Sequence, residues 1–451
     1  MRGIENVREG ARAREWRLAA PLVLACLIGL LLASSVSRGG NAVPQGARPA
    51  VRVGWWFGLE RVRVAADKEA VLSMAGGAQW VIGAGQSVLI TSGSGESGVQ
   101  ATWPGGEQCG NTARVGGGVL QLSAVVAGSR KAVAQQVPWP VEIRRDRGGL
   151  VLIVEVPLEE YVAGVVAGEA SSRSARALLE ALAVGARNFA LANRSKHGAQ
   201  GFDVCVSSHC QNFRVSPPGA ASQAAEATRG LVLAKGGVLV RVNYHTTCGG
   251  TTDAASDIWG GANPLGLLGV MDDARAQPPA LGTEAAVADF LANGRAYCSA
   301  DRFYRWSRLL GPEEMQSRLE AGLAALGLGP VSGRLLEVKV TRRTPGGRAA
   351  ELLVKTEGGS VGVTGENVRW VFGGGGVGGA GSLPSRFFVI KGSEGGGYAI
   401  RGGGYGHGVG ICLAGAGCLA SSGRSAGEIL AHYYPGTSVV ALSDLAGGCR
   451  P

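Results

Sequence analysis

Short runs of β-branched and apolar residues, each closed off by glycine, set what this chain can become. VRVGWW, RVRVAA, QWVIGA and SVLITS lie between Val51 and Ser92, and LLEVKVTRR, ELLVKTE, SVGVTG, RFFVIKG and GYAIRG lie between Leu335 and Gly402. Runs of this length and composition read as strands, and the glycines between them read as turns. Glycine supplies 76 of 451 residues, against about 7% in average proteins, so tight turns and close backbone approaches must be frequent. One strong helical pattern interrupts the strands: between Ser174 and Asn193, residues Leu178, Leu182, Gly185 and Phe189 share a face, with the serines of SSRS as N-cap candidates. Shorter helices are predicted over 285–297 and in SAGEILAHYYPG, which Pro435 and Gly436 stop, while GVLVRVNYHTT reads as a strand running into a glycine turn. Strands and helices mix without βαβ regularity, so the predicted class is α+β and β-rich.

At the N-terminus, Arg8, Arg12, Arg14 and Arg17 precede the apolar run from Leu18 to Val36. A basic segment followed by a membrane-length apolar one predicts export, with the run either cleaved near Ala33–Ser35 or retained as a membrane anchor. The expected organisation is a signal peptide or anchor over 1–40, a β-rich module over 41–145 and a larger domain over 146–445, with FGGGGVGGAGS at 372–382 as a flexible loop. The net charge of +10 is dispersed rather than gathered into runs. It favours solubility and anionic polymers, and with no basic stripe interleaved with aromatics it does not point to nucleic acid.

VPLEEYVAGVVAGEA, residues 156–170, sets Glu159, Glu160 and Glu169 among apolar neighbours. Glu169 sits just ahead of the strong helix, where a helix N-terminus would lower a carboxyl pKa and burial among Val165, Val166 and Ala167 would raise it; alternation directs at least one of the other two into solvent. Arg187 shares a helical face with Glu180 and by itself reads as its ion-pair partner or as a solvated charge. KHGAQGFDVCVSSHCQNF gathers His197, Cys205, His209 and Cys210. That is a Cys₂His₂ zinc donor set, and in an exported chain it is equally a Cys205–Cys210 disulfide. Eight cysteines follow the leader, including Cys109, Cys248, Cys298, Cys412, Cys418 and Cys449, and allow 105 complete pairings. In NYHTTCGGTTDAASDIWGG and GGGYGHGVGICLAGAG, glycine-rich backbone surrounds His245 and His407, a setting that lets a large ligand approach.

Taken in order, VPLEEYVAGVVAGEA, ALLEALAVGARNFAL, DVCVSSHCQNF, YHTTCGGTTDAASDIWGG, LPSRFFVI and GYGHGVGICLAGAGCLASSGRSAGEILAHYYPGT resemble the stage II sporulation protein D (SpoIID)/LytB family over roughly 150–440. The resemblance implies a peptidoglycan lytic transglycosylase in which Glu169 is the single general acid/base, cutting glycan strands after N-acetylmuramic acid to leave 1,6-anhydro ends. It implies substrate-binding roles for Arg187, Tyr244, His245 and His407, and a structural zinc on His197, Cys205, His209 and Cys210. Its alternative is a non-catalytic wall-binding activator of a cell-wall amidase. The chain departs from the family where Cys412 is followed by Leu413 instead of glutamine, and where Cys418 replaces a common methionine.

Overall fold

The structure is a computed structural model describing residues 50–93, 98–129, 132–275, 280–329, 331–373, 379, 381–393 and 396–445. The apolar run, Cys26, the linker at 41–48, most of the 372–382 glycine loop and Cys449 lie outside the described residues. Among the described residues no helix is long and apolar enough to cross a membrane. The molecule is β-rich α+β, as its strand punctuation predicts. It divides into two compact units, one holding residues 50–174 and 182–232 of the described chain, the other 175–181 and 233–445.

The first unit is built on a twelve-stranded sheet. Its axis is β1 (Ala50–Ala66), a 17-residue strand that absorbs both VRVGWW and RVRVAA. Along its first half β1 pairs with a later strand, Gly149–Pro157, from Ala50↔Pro157 to Leu59↔Leu150. Along its second half it pairs with Ser87–Ser92 on one side and Leu120–Val126 on the other. Register shifts near Gly54, Trp56 and Leu59 mark the change of partners, which is how a bulge bends a strand without ending it. Gly149–Pro157 carries the run LVLIV, buried at every position from Leu150 to Val154, as expected of a strand covered on both faces. Because this strand pairs with β1, the compact units do not divide at 145/146: the expected β-rich module and the start of the expected larger domain share one sheet.

Pro157 ends that strand and begins the helix α1 (Leu158–Glu169), its fixed φ suiting the first turn. The valines of this stretch suggest extended chain ahead of a later helix, but the backbone turns helical eleven residues before Glu169. The strong helical pattern is α2 (Arg176–Ala192), with Leu178, Leu182 and Phe189 buried. Helix α3 (Gly219–Ala227) packs on α1 in the first unit.

In the second unit, two three-stranded antiparallel sheets form from Leu335–Arg343, Ala349–Thr356 and Gly359–Thr364, and from Trp306–Leu310, Tyr398–Gly402 and Phe388–Gly392. Leu352, Val354, Val363, Phe372, Phe388 and Ile400 form much of its core. The predicted strand GVLVRVNYHTT shrinks to two short pieces, Val238–Leu239 and Tyr244–His245. Tyr244–His245 pairs in parallel with Ile411–Cys412, Tyr244 opposite Ile411 and His245 opposite Cys412. Helix α4 (Leu413–Ser421) follows directly, and α5 (Ala426–Tyr433) starts from a capping box of Ser425 and Glu428.

Candidate functional site

Glu169 is the last residue of α1, half-buried at the carbonyl end of the helix. The helix dipole there works against negative charge, the reverse of the position ahead of a helix that the sequence suggests. A backbone amide works for it: Asn212 N–H donates to Glu169 Oε1 at 2.7 Å. Two glycines of VAGVVAGE bring Asn212 within reach. A Cβ on Gly164 would stand 2.3 Å from the Phe213 ring, and one on Gly168 would stand 2.5 Å from the Asn212 carbonyl oxygen. With hydrogen at both positions, one turn apart, segment 211–214 lies directly on the helix, and Arg214 N–H donates to the Gly164 carbonyl. Phe213 stacks on Tyr161 and meets Trp55 and Trp139 edge-on, so the segment is anchored by its aromatic side chain.

Of the other two glutamates, Glu160 is exposed, as alternation predicts for at least one of the pair, and Glu159 is half-buried. Glu160 accepts the Trp139 indole N–H at 2.8 Å. Glu159 takes the guanidinium of Arg187, through Nε at 3.0 Å and Nη2 at 2.5 Å. Arg187 is completely buried and also donates to the carbonyls of Leu231 and Ala225. Glu180, expected to pair with Arg187, pairs instead with Arg176 one turn earlier.

Upstream of the same segment, His197, Cys205, His209 and Cys210 converge, their four donor atoms all within 4.8 Å of one another. Cys205 Sγ lies 3.6 Å from His209 Nδ1, and Cys210 Sγ lies 3.5 Å from His197 Nε2 and 3.7 Å from His209 Nδ1. Tetrahedral zinc with ordinary Zn–S and Zn–N bonds separates a sulfur from a nitrogen by roughly 3.6 Å. Both cysteines are free thiols. Hydrogen bonding from Cys205, then from the two imidazoles, holds the Cys210 thiol far below its ordinary value, while Cys205 is held above its own, so the pair keeps one proton. His197 Nδ1 meets Gln200 Oε1 at 3.0 Å, and Gln200 in turn donates to Asp146. An amide oxygen accepts only, so Nδ1 carries the proton and Nε2 presents its lone pair to the cluster.

The second unit brings His245 and His407 together, ring centroids 5.4 Å apart. His245 Nδ1 donates to the Val409 carbonyl at 3.2 Å, and its buried Nε2 has no hydrogen-bond partner among the described residues. His407 Nδ1 accepts from Val409 N–H at 3.0 Å, its ring also hydrogen-bonds the Tyr244 backbone, and the half-exposed Trp259 ring lies 5.0 Å away. Burial is the main cause that lowers both imidazoles, His407 to about 4 and His245 well below its ordinary value, so both are neutral at neutral pH. Gly408, at φ +76°, has no room for a side chain because a Cβ would meet the Arg348 guanidinium at about 2.1 Å. Arg348 is buried against Asp253 at 2.8 Å, and Asp253 N–H donates to the Gly408 carbonyl, so this ion pair seats the histidine turn. Sequence reading missed both partners. Asp253 stands in the quoted TTDAAS stretch, but Arg348 is 95 positions away and has no local signal.

Residues 146–234 match a family model described as Stage II sporulation protein. Residues 253–410 match a Domain of unknown function (DUF8618). The chain is 26% identical over 322 residues to Stage II sporulation protein D of Bacillus amyloliquefaciens, covering 66% of this chain and 79% of that protein. It is 24% identical over 320 residues to the protein of the same description from Bacillus subtilis (strain 168), with the same two coverages. An uncharacterized protein of Brachyspira hyodysenteriae is 26% identical over 304 residues, covering 64% of this chain and 68% of its own length.

Proposed function

Because this chain belongs to the SpoIID family, we propose that it works on the cell wall outside the membrane, as a lytic transglycosylase of peptidoglycan glycan strands with Glu169 as its acid/base. The observation that carries this reading is the Asn212 amide on Glu169 Oε1, at the end of a helix whose two glycines are shaped to receive it. The amide orients the carboxyl group, which carries and returns the proton. Glu169 protonates the glycosidic oxygen after N-acetylmuramic acid; the resulting carboxylate then takes the proton of that sugar's own 6-hydroxyl as it closes the 1,6-anhydro ring. The nucleophile belongs to the substrate, so no second carboxylate has to activate water, as ordinary glycosidases require. Glu159 and Glu160, engaged with Arg187 and Trp139, hold the scaffold. Tyr244, His245 and His407 serve substrate binding in this reading.

His197, Cys205, His209 and Cys210 hold one structural Zn²⁺ in this reading. Four protein ligands close the coordination sphere, so the ion supplies rigidity and no water-activating position. Rigidity matters here because Cys210 is two residues from Asn212.

Full-length chain and its Glu169→Gln variant, incubated with peptidoglycan intact and stripped of peptides, test the reading by mass spectrometry of the soluble products. Anhydro-muramyl sugars from the wild type, reduced by about 10²-fold or more in the variant, are expected. Sugar products undiminished by the substitution would remove Glu169 from the chemistry. Wall binding without sugar products from either protein, together with stimulation of an added amidase, would replace the enzyme with an amidase activator.

A further inference from the structure

Cys248, Asp272, Cys298 and Cys412 come from four separate stretches of the second unit and meet in its interior, none more than 1% exposed. Their donor atoms all lie within 4.8 Å of one another, and Cys248 and Cys298 are 3.6 Å apart at sulfur. Two thiolates on one tetrahedral zinc are separated by about 3.8 Å. All three cysteines are free.

What surrounds them decides what they can be. Backbone N–H groups point at the sulfurs: Gly250 N donates to Cys248 Sγ at 3.2 Å, and Cys248 N and Gly415 N donate to Cys412 Sγ at 3.2 and 3.4 Å. Cys412 is also the N-cap of α4, at the positive end of a nine-residue helix. Backbone amides aimed at these sulfurs fix their positions and would support the thiolate form once a bound cation displaces the thiol protons. Asp272 is oriented from behind, Oδ1 accepting from the Tyr433 hydroxyl at 2.6 Å and Oδ2 from Cys298 N at 3.1 Å. Gly415 has no space for a Cβ, which would lie 2.3 Å from both Asp272 Oδ1 and the Tyr433 hydroxyl, so the helix start is pressed onto the carboxylate. The ligand shell and the hydrogen bonds that orient it are both in place.

We infer that Cys248, Cys298, Cys412 and Asp272 form a second metal site, taking a thiophilic divalent ion such as Zn²⁺ in a closed, structural Cys₃Asp shell. Its position gives it a task. Cys412 is the cross-strand neighbour of His245, and Cys248 follows His245 by three residues, so an ion here fixes the strand pair that carries the histidine. Full burial means the ion enters as the unit folds, displacing the thiol protons, and leaves only when the unit opens.

The test is metal content of the purified full-length chain and of its Cys298→Ser and Asp272→Asn variants by inductively coupled plasma mass spectrometry, with non-reducing peptide mapping of the same samples. Each substitution is expected to lower bound zinc by about one ion per chain in Cys298→Ser, and to weaken retention against a chelator in Asp272→Asn. Metal content unchanged by both substitutions would place any ion elsewhere and overturn the site. A Cys248–Cys298 disulfide in the wild type would overturn it too. Should Cys298→Ser fail to fold, cobalt loading of a Cys205→Ser, Cys210→Ser chain, which lacks the other cluster's thiols, gives an independent reading. A strong thiolate-to-cobalt charge-transfer band supports the site, and its absence refutes it.

Discussion

Arg187 shows how burial changes the meaning of a side chain. A guanidinium on a helix is ordinarily solvated, yet here it has no exposure and binds Glu159 and two carbonyls. Removing one partner of such a pair strands a buried charge, so Arg187→Met is expected to destabilise the fold by about 3–5 kcal/mol. Chemical denaturation checks this, and kinetics of the surviving folded fraction separate structure from binding. Unchanged KM fits a scaffold arginine, whereas raised KM at wild-type stability would put the guanidinium on substrate. The two imidazoles give a second prediction at this scale. His407 is lowered from 6.5 to about 4, mainly by burial. Between those values the unfolded chain binds the proton and the folded chain does not, so stability rises with pH across that window and is lost as the medium is acidified. A His407→Gln chain should show a shallower dependence of thermal midpoint on pH from 4 to 6.5. An identical slope would remove His407 as its source. The convergence of His197, Cys205, His209 and Cys210 was legible from their local motif. The partners of Arg187 and Arg348 were not, because an ion pair between distant segments leaves no periodic trace.

Helix α1 is the element on which the proposed chemistry depends, and its two glycines are the device. Glycine inside a helix costs roughly 0.5–1 kcal/mol relative to alanine, so two in twelve residues call for a packing reason. That reason is the 211–214 segment lying on Gly164 and Gly168. Gly168→Ala forces the Asn212 carbonyl away from the helix, and the Asn212 amide moves with it. Overpacking is expected to lower stability by about 1–3 kcal/mol. A shift near 1 Å at the acid/base can cost about 10²-fold in rate, so activity should fall further than stability does. Turnover measured well below the thermal midpoint checks this, and wild-type turnover there would show that the amide contact is dispensable. The sequence concealed this helix because valine and glycine both argue for extended chain or turn. Strand β1 shows the converse: its glycines suggested two strands, and hydrogen bonding on both sides carried one strand through the bulges.

At the scale of the whole molecule, the two units each hold a cluster of metal-ligating side chains, His197, Cys205, His209 and Cys210 in one and Cys248, Asp272, Cys298 and Cys412 in the other. Exhaustive chelation during refolding is therefore expected to lower the thermal midpoint and to abolish turnover, with both restored by zinc. Refolding to the same midpoint and the same activity without any metal would show that neither cluster supports the fold. The proposed catalytic Glu169 lies in one unit and the histidine pair in the other, so a fold assignment by sequence pattern alone had no means to say which residues form a common environment. By itself the sequence determined the β-rich α+β class, the α2 helix, the short α5 helix and the local Cys/His cluster, because each is written within a few residues of chain. Only the tertiary structure decided that β1 and Gly149–Pro157 join the expected module to the expected domain, that Glu169 ends its helix under a backbone amide, and that four residues spread from 248 to 412 share one interior. Those outcomes rest on burial and pairing between segments tens to hundreds of residues apart, which hydrophobic periodicity and local propensity do not encode.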